Sequence, residues 1–224
     1  MLRRLILAIG FAWLAAAPAA LWAINPAFDP HWAVGDSWTV RFTVQLHSLP
    51  MTPDPQPPAR TNVSYAYRVV AKVKENGRDV FKIQARPATP GWPEWLLTFD
   101  ADELTLGTVQ EVGPSGIAYT NPFGRDAWLA KVDQYNNLVI HDFPKIPDTS
   151  TNQTRQLTAP QTSTPAFIQT VDFQGGMAHA ILQRTDPASQ QKQATTIAWR
   201  PGKKWWTSAT TTLGTGVLVS GQLM

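Results

Sequence analysis

Alternating apolar and polar residues mark the first strands of the chain. From Ser37 to Leu46, apolar side chains at every second position alternate with Thr, Arg and Gln. This period-two pattern is typical of a strand with one buried face. It returns over residues 62–74, and Asn76-Gly77 follows, a pair that tolerates the positive φ of a tight hairpin turn. The inner face of the second strand is predicted to hold Val63, Tyr65, Tyr67, Val69, Ala71 and Val73.

Further strands follow with short turns between them. A hairpin is predicted over residues 94–100 and 104–112, and neighbour-to-neighbour pairing suffices for the strands near the C-terminus. Asp126 could cap one short helix at residues 126–135. The fold is therefore predicted to be all-β: a large curved antiparallel sheet of about ten strands, as an open half-barrel or a sandwich, with at most one short helix. The five C-terminal strands are expected at residues 167–173, 177–185, 193–199, 205–212 and 217–223.

Two segments rich in proline and small polar residues interrupt these strands. The first contains five prolines, which remove ladder donors, and the second is rich in Thr, Gln, Pro and Ser with few apolar side chains to bury. We predict long loops near residues 48–61 and 144–166, within a single β domain over residues 24–224. Glycines and prolines also predict an irregular connection between residues 113 and 126.

The N-terminus has the features of a secretory signal peptide. Arg3 and Arg4 precede an unbroken apolar stretch over residues 5–17, and small residues follow. We predict a signal peptide over residues 1–23, with cleavage between Ala19 and Ala23 and a periplasmic or extracellular product. The alternative is an uncleaved membrane anchor, because the apolar region approaches the roughly 20 residues that cross a bilayer.

Charge and cysteine content exclude several classes of function. The chain carries 19 Lys+Arg and 16 Asp+Glu, and loss of Arg3 and Arg4 with the leader leaves 17 against 16. A nucleic-acid partner is therefore not predicted, since it needs a concentrated basic face. With no cysteine there is no disulfide, thiolate ligand or cysteine nucleophile. The four histidines lack metal-site spacing, so no metal or other cofactor is predicted.

Patterns that could support catalysis are sparse. The chain has no Gly-x-Ser-x-Gly motif for a serine nucleophile. The acidic residues at 100, 102 and 103 are typical of a hairpin turn. The best acid–base candidate is His141 with Asp142 or Asp172, which would suit an envelope hydrolase. We predict a non-catalytic protein and keep the hydrolase as an alternative.

Aromatic residues suggest a binding surface. Because adjacent strand residues point to opposite faces, one of Trp205 and Trp206 is predicted to lie in the core and the other outside or in a cavity. An exposed tryptophan beside lysines could stack on a sugar, touch lipid headgroups or seat a partner. The predicted surface patch of aromatic and basic side chains consists of Lys203, Lys204, Trp205 and Trp206.

The run Trp32-Ala33-Val34-Gly35-Asp36-Ser37-Trp38-Thr39-Val40, with Tyr65-Ala66-Tyr67 before the hairpin turn, resembles the opening of many exported bacterial β-meander proteins. At superfamily level the chain is similar to the curved half-barrel of the periplasmic lipoprotein carriers. That resemblance implies binding of a hydrophobic ligand without catalysis.

The main hypothesis is an extracytoplasmic, non-catalytic binding or accessory protein. A concave aromatic face of its sheet would hold a lipid, another apolar ligand or a segment of an envelope protein partner. The alternatives are the envelope hydrolase using His141 and Asp142, and a structural subunit of a cell-envelope assembly whose two long loops become ordered on binding. The predicted ligand-binding residues are Trp38, Phe42, Tyr65, Tyr67, Trp95 and Phe99.

Overall fold

The structure is a computed structural model that describes residues 24–46, 59–102, 104, 106–113, 116–121, 143–148, 153–158, 165–185, 192–213 and 217–224. A 3-10 turn at Pro26–Phe28 is the only helical element in these ranges. The described strands are β1 (Ser37–Leu46), β2 (Ala59–Glu75), β3 (Arg78–Pro87), β4 (Glu94–Asp100), β5 (Leu106–Gly113), β6 (Gly116–Asn121), β7 (Gln153–Thr158), β8 (Pro165–Gln174), β9 (Met177–Thr185), β10 (Lys192–Trp199), β11 (Ser208–Leu213) and β12 (Val217–Leu223).

All twelve strands lie in one sheet, in the order β6-β5-β4-β3-β2-β1-β12-β11-β10-β9-β8-β7. Every neighbouring pair is antiparallel. The sheet is open, because β6 and β7 lie at its two ends. The predicted all-β antiparallel class is confirmed, as one continuous sheet rather than the two sheets of a sandwich.

Ring contacts across the sheet show that it is strongly curved. Phe99 on β4 and Trp199 on β10 lie six strands apart in the sheet order. That separation is roughly 29 Å on a flat sheet, at about 4.8 Å per strand. Both rings nevertheless contact Phe143, with centroid distances of 5.5 Å and 4.7 Å. The inner face therefore wraps around one common core.

Two strands lie in ranges that were predicted to be irregular. β6 falls in the predicted irregular connection between residues 113 and 126, and β7 falls in the predicted loop at 144–166. Both lie at an end of the sheet, where a strand has one neighbour and needs little apolar alternation. The start of β2 also lies inside the predicted loop at 48–61. The remainder of that loop, residues 48–58, and the predicted helix at 126–135 lie outside the described residues.

A bulge in β2 exchanges the inward and outward positions of the strand beyond Val69, relative to the prediction. Val69 pairs with Ile83 and Lys72 pairs with Phe81, so one extra residue lies between the two pairs on β2. Because Ile83 and Phe81 share the inner face of β3, Lys72 takes an inner position, and its Nζ lies 5.3 Å from the centre of the Phe81 ring. The inner-face prediction is wrong for two residues beyond the bulge, Ala71 and Val73.

Candidate functional site

Two segments that are not strands cover the inner face of the sheet at one end. We call residues 24–36 the N-terminal segment and residues 143–148 the crossing segment. The Asn25 backbone N–H donates to the Ile146 carbonyl at 3.0 Å and joins the two segments. The described part of the crossing segment is buried from residue 143 to residue 147. This end of the inner face is therefore filled by the chain itself.

Gln169 on β8 holds the crossing segment in place. Its side chain is 1% exposed, and its Nε2 donates to the Lys145 carbonyl at 2.6 Å. The Lys145 backbone N–H in turn donates to Gln169 Oε1 at 3.1 Å. A buried amide that both donates and accepts in this way meets the rule that buried polar groups are hydrogen-bonded. The two bonds tie the crossing segment to the sheet.

Trp32 of the N-terminal segment lies at the centre of the inner face. It is 6% exposed, and its Nε1 donates to the Lys204 carbonyl at 2.8 Å. A buried tryptophan removes about 150–250 Å² from water, so this residue is a major part of the core. Five aromatic rings surround it at centroid distances of 5.1–6.2 Å: Trp38, Phe81, Phe99, Phe143 and Trp205.

One of Trp205 and Trp206 was predicted to lie in the core and the other outside or in a cavity. Both are fully buried, so the alternative that places one of them outside is wrong. β11 begins only at Ser208, and strand alternation therefore does not apply to the two tryptophans. Of the predicted surface patch, only the two lysines reach solvent: Lys203 is exposed, and the side chain of Lys204 is 40% exposed.

The Gly-Asp turn of the N-terminal motif fastens the N-terminal segment to the connection between β10 and β11. Gly35 adopts φ 100°, which a side chain would strain. Asp36 Oδ2 accepts from the Ala33 backbone N–H and lies 2.8 Å from Lys204 Nζ. Lys204 Nζ also donates to the His31 carbonyl at 2.8 Å. The Lys204 ammonium and the Ala33 N–H hold the pKa of Asp36 below its ordinary value of 3.8.

This ion pair predicts a pH-dependent contribution to stability. A lowered pKa in the folded state stabilises the protein above pH 3.8, and the contribution disappears as the pH falls through the folded-state pKa. Because Asp36 and Lys204 are partly exposed, we expect Asp36→Asn to cost less than about 1 kcal/mol at neutral pH. Urea unfolding of both proteins between pH 7 and pH 2 measures the difference.

The matched control is Asp102→Asn, on the exposed turn after β4. It should leave the unfolding midpoint unchanged at neutral pH. A gap between wild type and Asp36→Asn that persists undiminished at pH 2 contradicts the assignment.

The structure brings the six predicted ligand-binding residues together. The Trp38 and Tyr67 rings stack at 5.8 Å, and Phe42 meets Tyr65 edge-on at 6.0 Å. Trp95 and Phe99 are at most 2% exposed, as are all the others except the half-buried Trp38. Burial raises the pKa values of Tyr65 and Tyr67 above the usual range of tyrosine. These side chains form the domain core together with rings from the two covering segments.

The proposed hydrolase residues His141 and Asp142 lie outside the described residues. Asp172 pairs with His179 across β8 and β9, on the outer face, and Asp172 Oδ2 accepts from Gln174 Nε2 at 3.0 Å. In the part of the chain that the structure describes, no group of three or more His, Asp or Glu residues could hold a metal ion. In the same ranges, no helix is long and apolar enough to cross a bilayer.

The outer face of the sheet divides into a charged part and an uncharged part. β2, β3 and β4 carry ion pairs such as Lys82–Glu75 at 2.7 Å and Arg86–Glu94 at 3.1 Å. The described outward side chains of β8–β12 are Ile, Leu, Met, Thr, Ser, Ala and Gln, apart from the Asp172–His179 pair. Lys192, the first residue of β10, takes an outward register position at the border of this surface. We call the outward side of these five strands the uncharged face.

One row of residues crosses the uncharged face at right angles to the strands. Ile181, at 43% exposure, lies within this row and is one of the few large apolar side chains exposed in the described structure. Small side chains flank Ile181 in this row, so this part of the surface is flat. In register order the row, which we call the threonine row, is Thr170, Ile181, Thr196, Thr210, Ser220 and Thr43.

Comparisons with known proteins give no family for this chain. No protein-family model matches it, and no curated protein matches it. Among solved structures, the chain is similar to one described as MucB in complex with MucA(peri). The TM-score is 0.22 and the identity 11%, over 84% of this chain and 88% of that chain. At that TM-score the likeness is too slight to bear on fold or function.

Proposed function

We propose that the protein is an exported, non-catalytic accessory protein that binds another protein of the cell envelope through the outer face of its sheet. The observation that carries the proposal is the uncharged face of β8–β12. The buried centres of protein–protein interfaces are depleted of Lys, Glu and Asp, as this surface is. Export rests on the signal peptide predicted over residues 1–23, and sequencing the N-terminus of the protein purified from its host tests it.

The filling of the inner face favours a protein partner over an apolar ligand. A lipid beside Trp38 or Tyr67 would have to displace Trp32 or Trp205, which already contact those rings. Trp32 is also fixed through its hydrogen bond to the Lys204 carbonyl. Native mass spectrometry of the purified protein tests the ligand hypothesis directly, since a co-purifying lipid would support it against the present proposal.

The partner proposal is tested by placing a photo-crosslinking amino acid at Ile181 in cells that produce the protein. We expect one discrete protein adduct, because Ile181 is exposed within the uncharged face. Thr196→Arg, beside Ile181 in the threonine row, should reduce the adduct by introducing a charge that the partner cannot pair. Both positions are exposed, so neither change should alter stability by more than about 0.5 kcal/mol.

The control places the same crosslinker at Thr108 on β5, outside the uncharged face. No comparable adduct is expected there. If Ile181 gives no adduct, or if both positions give the same one, the uncharged face is not a binding surface.

A further inference from the structure

We propose that the partner binds in part through an extended acidic segment, which lies along three arginines on the outer face of β1 and β2. This inference rests on the proposed function and locates one border of the interface. We call the three residues the arginine stripe: Arg41, Arg60 and Arg68.

The arginine stripe is long and narrow. Arg60 and Arg68 lie on β2, eight residues apart, which is roughly 27 Å at about 3.4 Å per residue. Arg41 on β1 pairs with Ser64, midway between them. All three side chains are exposed. The guanidinium groups therefore follow the direction of the strands, with neighbouring arginines roughly 14 Å apart.

Among the described residues, no carboxylate forms an ion pair with the arginine stripe. Several other cations of the described surface have acidic partners, among them Arg86 with Glu94 and Lys204 with Asp36. None of the described ion pairs includes a residue of the stripe. The other described outward residues of β1 and β2 that lie around the stripe are uncharged: Ser37, Thr39, Thr43, Gln45, Asn62, Ser64 and Ala66.

The chemistry of the stripe favours carboxylates on an extended polypeptide. A guanidinium binds a carboxylate with two parallel hydrogen bonds, and arginine is enriched in protein interfaces where lysine is depleted. Phosphate polymers and anionic bilayers present dense charge and are best met by clustered cations. Widely spaced arginines with hydrogen-bonding side chains between them fit a peptide with isolated carboxylates.

The arginine stripe is continuous with the surface proposed for partner binding. Thr43, the last residue of the threonine row, pairs with Asn62, and its Oγ1 donates to Asn62 Oδ1 at 2.8 Å. This pair lies between Arg41 and Arg60 along the strands. A partner on the uncharged face therefore reaches the stripe without crossing the ion pairs of β3 and β4.

The probe is a labelled peptide of Ser and Thr with Glu at every fourth position, compared with the same peptide carrying Gln. We expect the Glu peptide to bind the wild-type full chain more tightly than the Gln peptide. The combined variant Arg41→Gln, Arg60→Gln and Arg68→Gln should weaken the binding about tenfold, which corresponds to the loss of three exposed charge pairs. Fluorescence anisotropy at low salt measures the affinity, and unfolding curves check that the variant is folded.

The matched control removes three equally exposed cations elsewhere: Arg78→Gln, Arg200→Gln and Lys203→Gln. It should bind the Glu peptide as the wild type does. If the control weakens binding as much as the stripe variant, the effect is one of net charge and the inference is overturned. If phosphatidylglycerol vesicles bind through the stripe and the Glu peptide does not, the occupant is a membrane and the inference is equally overturned.

The crosslink at Ile181 separates failure of this inference from failure of the proposed function. If the Ile181 adduct forms but its yield is unchanged in the stripe variant, the arginine stripe is not part of the interface and the proposed function stands. If the adduct is absent from the wild type, the proposed function itself fails. The expected result is an adduct whose yield falls in the stripe variant and not in the control variant.

Discussion

Replacing Trp32 by alanine is expected to lower the free energy of unfolding by about 3–5 kcal/mol. The side chain is 6% exposed, five aromatic rings surround it, and its Nε1 donates to the Lys204 carbonyl. The substitution would leave a large cavity between the N-terminal segment, the crossing segment and the sheet. Equilibrium unfolding in urea, followed by circular dichroism, measures the loss.

Trp92→Ala is the control for this experiment. Trp92 is half-buried in the connection between β3 and β4 and packs against the margin of the core. We expect a clearly smaller loss of stability than for Trp32→Ala, because less of its surface leaves water on folding. Equal losses, or a loss below about 1 kcal/mol for Trp32→Ala, would show that the N-terminal segment does not complete the core.

Gly221→Ala is expected to destabilise the protein by about 1–3 kcal/mol, although it adds only a methyl group. A Cβ at Gly221 would lie 2.7 Å from an atom of the Trp206 ring and 2.9 Å from an atom of the Phe42 ring. Both rings are fully buried and cannot move aside without disturbing their neighbours. Urea unfolding of the variant measures this cost.

A double substitution tests whether Trp206 is the cause. Trp206→Leu removes the ring that meets the new methyl group, so Gly221→Ala should cost less in that background than in the wild type. Gly107→Ala on β5 is the control, because its Cβ would meet only the Thr98 carbonyl at 3.4 Å. That change should alter the free energy of unfolding by less than about 1 kcal/mol. Equal costs at Gly107 and Gly221 would contradict the steric explanation.

Strands with one buried face could be predicted from the sequence. The predicted ranges 94–100, 177–185 and 217–223 coincide with β4, β9 and β12. In each of them the alternation of apolar and polar residues indicates which side chains are buried on folding, and turn residues mark the ends of the strand. The six aromatic residues predicted to share a face do meet on the inner face of the sheet, for the same reason.

Features that depend on distant parts of the chain could not be predicted. The alternation of apolar and polar residues does not indicate that a bulge places Lys72 on the inner face. It also does not indicate that Trp205 and Trp206 lie before the start of β11. The closing of the inner face by Trp32 depends on contacts with residues far along the chain. The Gly-Asp turn beside Trp32 is the one signal of this closing in the sequence, and its role depends on the ion pair between Asp36 and the distant Lys204.

The arrangement of the outer face could not be predicted from the sequence for a related reason. Its outward residues are ordinary polar residues on each strand, and only the register of neighbouring strands assembles them into rows. The pairing of β8 through β12 with β1 places Ile181 in the threonine row, and that of β1 with β2 places Arg41 midway along the arginine stripe. The register between these strands cannot be predicted from a single sequence.

The pairing of β1 with β12 has a consequence for how the chain acquires its structure. Every other pairing in the sheet joins strands that follow one another along the chain, so β1–β6 and β7–β12 can each form from successive hairpins. β1, in contrast, gains its second neighbour only when β12 is available, and closing so long a loop is costly and slow. We therefore expect two half-sheets to form early and to join last between β1 and β12. Until they join, β1 and β12 are edge strands with unpaired backbone groups. We expect the chain to be most prone to aggregate during that interval.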